Sequence, residues 1–152
     1  MKDILLTTLR DAKTPIELFR KSADQLASAL AVESGQFFTK IKKPVQTPMG
    51  ETSGIYAQEK PYLAPILRSG LALLSSFLRS YPEAPVGHIG IRRDEKTALP
   101  CPYYSHLPSI ASNHLIFLLE PMIATGQTAC AAVDILQRAG AQLSQIVLIS
   151  LL

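Results

Sequence analysis

Residues 115–129 read LIFLLEPMIATGQTA, and they carry the clearest structural signal in the chain. A short apolar run ends in one carboxylate, Glu120, which is followed by a turn of small residues, 124–128, and then by an amphipathic helix. A carboxylate at a strand end accepts hydrogen bonds from sugar hydroxyls, and a small-residue turn that opens a helix offers N–H groups to a phosphate. We therefore predict a sugar-phosphate site. The spacing leaves open an ordinary loop in which Thr125 or Thr128 caps the helix.

Other common kinds of site do not match the sequence. The stretch lacks the Gly-Lys-Ser/Thr of a Walker A loop and the G-x-G-x-x-G pattern of a dinucleotide-binding loop. No Ser/His/Asp or Cys/His arrangement typical of a nucleophile is present, and His and Cys have no metal-ligand spacing. His88, in an apolar run, is interpreted as an interior histidine.

The chain from residue 62 onward contains four apolar runs, at 62–67, 86–91, 115–119 and 146–151. Helical patterns separate the first run from the second and the third from the fourth. Near-continuous apolar strands that alternate with helices favour an α/β fold, with a parallel sheet and flanking helices. Ligands of such sheets bind beyond the carboxyl ends of the strands.

Polar clusters follow three of these runs directly. Arg68, Ser69 and Gly70 come after the first run, Arg93 after the second and Glu120 after the third. Their convergence at one sheet edge is the strongest physical argument for a binding site. The alternatives are a surface arginine at position 68 and a solvated charged loop at 92–96.

The first 60 residues carry simpler signals. Residues 11–30 are predicted to form a helix with Thr14 as its N-cap and a buried apolar stripe, and 43–57 a β-hairpin. Residues 98–109, with three prolines, are interpreted as irregular. We expect one domain with N-terminal helices (1–40), a hairpin arm (41–60) and an α/β core (61–152). The predicted stripe comprises Ile16, Phe19, Ala23, Leu26 and Leu30.

Composition indicates a globular protein, with 47% hydrophobic and 18% charged residues. The longest apolar run is shorter than the ~18 residues of a membrane span. The N-terminus does not read as a secretory signal, so a cytoplasmic protein with reduced cysteines is expected. The net charge of +3 fits an anionic small substrate as well as nucleic acid, but no helix-turn-helix or aromatic basic stripe favours nucleic acid.

The motifs together resemble those of uracil phosphoribosyltransferases. Residues 120–129, EPMIATGQTA, resemble the family's loop for phosphoribosyl pyrophosphate (PRPP), usually DPMLATGGSA; 65–70, PILRSG, are similar to PILRAG. Residues 82–97 resemble the stretch that ends in G-x-x-R-D-E-x-T, and YYSHLP at 103–108 is similar to Y-Y-x-K-L-P. The resemblance covers essentially the whole chain. It implies a type I phosphoribosyltransferase fold and the reaction of uracil with PRPP to give UMP and diphosphate.

The resemblance also implies roles for individual residues. Glu120 would accept hydrogen bonds from the ribose hydroxyls, the loop from Ala124 to Thr128 would cradle the 5-phosphate, and Arg68 and Arg93 would bind the pyrophosphate. Mg²⁺ would be held through PRPP oxygens rather than by a protein cage. A homodimer or larger homo-oligomer is expected, with no membrane partner. The full set implied to bind PRPP is Arg68, Arg93, Glu120, Pro121, Met122, Ile123, Ala124, Thr125, Gly126, Gln127 and Thr128.

Three departures from the family pattern matter. Glu120 replaces an aspartate, which moves the carboxylate outward by roughly 1.5 Å. Gln127 replaces a glycine and would cost on the order of 1 kcal/mol if its φ were positive. The sequence reaches Leu152 before the glycine-rich segment that holds uracil in the family, so an abridged fold with a PRPP half-site and little UMP formation is expected. The alternative function is a non-catalytic PRPP-binding or nucleotide-binding regulatory protein.

Overall fold

A computed structural model describes residues 1–94, 97 and 99–152. Two predictions fall partly outside this range, because Glu95 and Lys96 of the charged loop and Ala98 of the segment interpreted as irregular are not described. The helices are α1 (Lys2–Arg10), α2 (Ile16–Glu33), α3 (Leu71–Ser80) and α4 (Gln127–Arg138). The strands are β1 (Lys40–Thr47), β2 (Gly50–Ala57), β3 (Lys60–Leu67), β4 (His88–Arg93), β5 (Pro100–His106), β6 (His114–Leu119) and β7 (Ile146–Ile149).

The core sheet has the strand order β5-β4-β3-β6-β7. Strands β3, β4, β6 and β7 are parallel, which confirms the predicted α/β sheet, whereas β5 runs antiparallel to β4 and makes the sheet mixed. The prediction that residues 98–109 are irregular is wrong for Pro100–His106, which form β5. Its prolines are tolerated because β5 is an edge strand, where a missing N–H can face away from the ladder.

Both faces of the sheet are covered, and this explains the continuous apolar runs. Because successive side chains of a strand point to opposite faces, Phe117 and its odd-numbered neighbours pack towards α2 and α3, and Leu118 and its even-numbered neighbour towards α4. Phe117 lies 5.7 Å from Phe77 of α3 between ring centroids. On the other face, Leu136 of α4 is fully buried.

The N-terminal helices differ from expectation in two respects. Helix α2 begins after Pro15 without a side-chain cap, and Thr14 instead donates its hydroxyl hydrogen bond to the Thr8 carbonyl at 2.7 Å. The predicted stripe is buried at Leu26 but exposed at its start, where Ile16 is 61% exposed. The periodicity identifies an apolar face, but only the half of α2 that lies against α3 is covered.

The predicted hairpin forms, with β1 and β2 paired antiparallel from Lys40 and Ala57 to Thr47 and Gly50. It makes a two-stranded sheet of its own. None of the described helices is both long and apolar enough to cross a bilayer.

Candidate functional site

The site lies where the sheet changes its winding direction. After β3 the chain passes to β4 on one side, and later to β6 on the other. The loops that leave two neighbouring parallel strands in opposite directions open a crevice beyond their carboxyl ends. A cavity of about 290 Å³ lies here, and the described residues that line it are Ile66, Leu67, Ser69, Ile91, Arg93, Glu120, Met122 and Thr128.

Glu120 is the buried acid of this cavity, at 8% exposure. Its position is fixed by its backbone, because its N–H donates to the Ile149 carbonyl at 3.1 Å and so continues the pairing of β6 with β7. Its side chain is fixed by Ser69, whose hydroxyl donates to Oε1 at 3.0 Å. The carboxylate is therefore held in place before any ligand binds.

The environment of Glu120 shifts its titration. Burial raises the pKa of the carboxyl above its ordinary value, although the Ser69 hydroxyl, the Met122 N–H and the positive charge of Arg93 act in the opposite direction. A buried, charged acceptor costs folding free energy and is characteristic of a site that binds a ligand.

Replacing this charge is expected to stabilise the protein at neutral pH. The folded-state pKa of Glu120 is raised above its ordinary value of 4.5. Protonation of Glu120 therefore contributes fully to the free energy of unfolding below about pH 4.5, and this contribution is lost as the pH rises through the folded-state pKa. The Glu120→Gln variant keeps the shape without the charge. We expect a higher melting temperature than the unchanged chain at pH 7 and little difference at pH 4.

Differential scanning calorimetry at the two pH values measures this difference. Each kcal/mol gained corresponds to about 2–4 °C in a domain of this size. Glu51→Gln, which removes an exposed carboxylate from β2, is the control and should change neither value. An equal gain at both pH values would show that the charge of Glu120 is not the cause.

The two predicted arginines occupy different positions. Arg93 is the last residue of β4 and lines the cavity. Arg68 is exposed in the turn from β3 to α3, next to the cavity-lining Leu67 and Ser69, and the Leu67–Arg68 peptide bond is cis. Gly70 then packs against the main chain of both central strands and brings this turn close to the end of β6. Leu67 and Ser69 line the cavity whereas Arg68 itself does not, so the anion-ligand role and the alternative of a surface arginine both stay open at position 68.

The start of α4 has no side-chain cap. Gly126 is the N-cap with φ +77°, and no side chain caps the helix, so neither Thr125 nor Thr128 plays the capping role left open by the sequence. The first turn of a helix has N–H groups without intrahelical acceptors. Gln127 is the first helical residue, so its replacement of glycine carries no cost from a positive φ.

Not every predicted site residue reaches the cavity. Among them, Arg93, Glu120, Met122 and Thr128 line it. The others lie in the flanking turns, except Gln127, which is the first residue of α4. The Ile123 N–H donates to the Leu152 carbonyl at 2.9 Å, and the Pro121 carbonyl accepts from the N–H groups of Leu151 and Leu152. These main-chain groups hold the loop against the segment that follows β7.

Sequence reasoning missed part of the cavity wall. Ile66, Leu67 and Ile91 form apolar lining, and the strand-end position of Leu67 was the available signal for it. The Ser69 hydroxyl was missed as a partner of Glu120, because the two residues are 51 positions apart. Only the pairing of β3 with β6 brings them together.

A cavity of about 380 Å³ lies at the opposite, amino-terminal edge of the sheet. Its wall includes Lys60 at the start of β3, His114 at the start of β6 and Tyr81 after α3. Burial and the charge of Lys60 lower the pKa of His114. This cavity lies away from the carboxyl strand ends, and it contains none of the residues predicted to bind PRPP.

A divalent cation has few protein ligands here. Among the described residues no cluster of three or more His, Cys, Asp or Glu side chains could hold a metal ion. The cavity supplies one carboxylate, Glu120. Mg²⁺ keeps much of its coordination for water and phosphate, so a metal held through PRPP oxygens needs no protein cage.

Comparison with known proteins identifies relatives of this chain in sequence and in fold. A uracil phosphoribosyltransferase of Salinibacter ruber is 39% identical over 137 residues, covering 90% of this chain and 65% of the relative. One of Kineococcus radiotolerans is 41% identical over 138 residues, covering 90% and 65%. The chain thus spans less than two thirds of the length of these relatives.

Solved structures share the fold. The AQ2163 protein from Aquifex aeolicus superimposes with a TM-score of 0.83 at 30% identity, covering 98% of this chain and 71% of that one. A purine phosphoribosyltransferase from Pyrococcus horikoshii has a TM-score of 0.61 at 14% identity, covering 86% and 71%, and shows the fold alone. The family model described as uracil phosphoribosyltransferase matches residues 2–152. The chain belongs to the uracil phosphoribosyltransferase family.

Proposed function

We propose that the cavity at the carboxyl ends of β3, β4 and β6 binds PRPP with Mg²⁺, and that the protein uses it to transfer a phosphoribosyl group to uracil. The observation that carries the proposal is the buried Glu120 carboxylate, held by Ser69 in a cavity that Arg93 and Thr128 also line. Glu120 is a fixed hydrogen-bond acceptor, and it lies in one cavity with the positive Arg93 and the uncapped start of α4. These three groups match the hydroxyls and phosphates of a phosphorylated ribose.

Each part of PRPP has a complementary group in this arrangement. The Glu120 carboxylate accepts hydrogen bonds from the ribose hydroxyls and orients the ring. The N–H groups at the start of α4 and the hydroxyls of Thr125 and Thr128 bind the 5-phosphate. Arg68 and Arg93 bind the pyrophosphate. Apolar lining from Ile91 limits water beside the reacting carbon.

The reaction exchanges one bond at C1 of the ribose for another. The C1–O bond to pyrophosphate breaks, and a ring nitrogen of uracil forms a bond to C1 and loses its proton. Mg²⁺, held through PRPP oxygens, would supply positive charge to the leaving pyrophosphate. The chain orients the ribose through Glu120 and stabilises the departing anion through the arginines, so catalysis comes from positioning and electrostatics without a protein nucleophile.

Loss of a phosphate-binding group is expected to weaken PRPP binding. The Arg68→Ala and Thr125→Ala variants should each raise the dissociation constant of PRPP·Mg²⁺, by about tenfold or more for Arg68, because hydrogen bonds to charged groups contribute about 1.5–3 kcal/mol. Isothermal titration calorimetry measures the change. Arg20→Ala, which removes an exposed arginine from α2, is the control. Unchanged affinity in both site variants would contradict the assignment.

A turnover assay separates transfer from binding alone. The chain is incubated with labelled uracil, PRPP and Mg²⁺, and UMP is measured. UMP formed in proportion to protein supports transfer and contradicts the sequence-based expectation of little turnover. PRPP binding without UMP supports the non-catalytic alternative.

The hairpin supports a homo-oligomer as the functional form. Isolated two-stranded sheets are marginally stable, yet β1 and β2 pair over eight residues each. Ile55 of β2 is 68% exposed, and Met49 in the turn between the strands is 96% exposed. We infer that this arm packs against a second copy. Sedimentation equilibrium is expected to show a dimer or larger species that Ile55→Asp weakens, and a monomeric unchanged chain would contradict this inference.

A further inference from the structure

We propose that Ser69 is a positioning residue paired specifically with Glu120, which lets this chain use a carboxylate one methylene longer than the aspartate usual in the family. The inference deepens the proposed PRPP site and rests on it for its functional consequence. It stands on the contact of Ser69 Oγ with Glu120 Oε1 at 3.0 Å, in a cavity that both residues line.

Two departures from the family pattern, Ser69 and Glu120, meet at this contact. The sequence has PILRSG where PILRAG is usual, and EPM where DPM is usual. Alanine at position 69 has no hydroxyl to donate. An aspartate at position 120 would end roughly 1.5 Å short of the present carboxylate. Starting from 3.0 Å, the gap to Ser69 would then exceed hydrogen-bond distance.

The longer side chain creates a need for such a restraint. Glutamate has one more rotatable bond than aspartate, and an error of ~1 Å in a ligand-orienting group can reduce the rate about a hundredfold. The Glu120 main chain is fixed by the Ile149 carbonyl, but that bond does not fix the carboxylate. The Ser69 hydroxyl donates to Oε1, and an ionised carboxylate has further lone pairs with which to accept bonds from a ribose. Serine and glutamate therefore restore together the rigidity that a shorter acid has alone.

The electrostatic surroundings give the pairing a second consequence. The groups that act on the Glu120 carboxyl are the Ser69 hydroxyl from the β3–α3 turn, the Met122 N–H from its own loop and the positive Arg93 from β4. Each favours the ionised form against the effect of burial. Removal of the Ser69 hydroxyl should raise the pKa of Glu120 further, so that PRPP binding is lost at a higher pH on acidification.

A double-mutant cycle tests the pairing. The dissociation constant of PRPP·Mg²⁺ is measured by calorimetry from pH 5 to 8 for the unchanged chain, Ser69→Ala, Glu120→Asp and the double variant. We expect Ser69→Ala to weaken binding about tenfold when Glu120 is present, and by less than about twofold when it is combined with Glu120→Asp. Ser69→Thr, which keeps a hydroxyl, should restore most of the affinity. Ser75→Ala, which removes an exposed hydroxyl from α3, is the matched control.

Equal effects of Ser69→Ala with and without Glu120→Asp would overturn the pairing, since independent sites add. The pairing would also be overturned if Ser69→Ala left unchanged the pH at which PRPP binding is lost on acidification. An NMR titration of the Glu120 side-chain carboxyl carbon, without PRPP, separates this inference from the proposed function. Absence of PRPP binding by the unchanged chain rejects the function, whereas a Glu120 titration that Ser69→Ala leaves unchanged rejects the pairing.

Discussion

The Glu120→Ala variant is expected to bind PRPP about a hundredfold more weakly than the unchanged chain. A carboxylate that accepts bonds from two ribose hydroxyls loses two charge-assisted hydrogen bonds on truncation, each of about 1.5–3 kcal/mol, and 1.4 kcal/mol corresponds to tenfold. Glu120 is 8% exposed and its carboxylate is restrained by Ser69. Ligand binding therefore costs little conformational entropy at this side chain.

The control for this prediction removes the same charge from an exposed position. Asp134 is exposed on α4, and Asp134→Ala should leave the dissociation constant within about twofold of the unchanged value. Calorimetric titration of PRPP·Mg²⁺ into each variant at about pH 7.5 gives the comparison. Equal affinities of Glu120→Ala and Asp134→Ala would remove Glu120 from the site.

The Gly70→Ala variant is expected to be strongly destabilised. A Cβ at position 70 would lie 2.4 Å from the Leu119 carbonyl oxygen and 2.7 and 2.8 Å from the main-chain N and O of Ile66. These atoms belong to the two central strands and cannot move aside as a flexible side chain would. We expect a loss of about 3 kcal/mol of unfolding free energy, which lowers the melting temperature by roughly 6–12 °C.

The matched control is Gly35→Ala, in the short 3₁₀ turn Ser34–Phe37. A Cβ there meets no atom within 4 Å, so a melting temperature close to that of the unchanged chain is expected. Thermal unfolding followed by circular dichroism measures both variants. Equal melting temperatures for the two would show that the Gly70 turn is not packed against β3 and β6 as described.

Local sequence patterns predicted the core well because both faces of the sheet are buried. The run ending in Glu120 is apolar at every position since Phe117 and Leu118 face opposite layers. The turn into α4 could also be predicted, because its strand end, small residues and helix start are contiguous in the sequence.

Features that depend on residues far apart in the sequence could not be predicted from it. Strand β5 forms because β4 offers an edge to pair with, and nothing within its proline-containing sequence shows that edge. Ile16 and Phe19 repeat at helical spacing, but only the packing of α2 on α3 decides which end of the stripe is covered. The Ser69 contact with Glu120 likewise requires β3 and β6 to lie side by side.

A crystal structure of the chain with PRPP and Mg²⁺ would show whether the carboxyl edge of the sheet is the PRPP site. We expect the 5-phosphate at the start of α4, the ribose hydroxyls on Glu120 with Ser69 still bound to Oε1, and the pyrophosphate between Arg68 and Arg93. PRPP bound instead in the cavity beside Lys60 and His114, or absent from the carboxyl edge at saturating concentration, would contradict it.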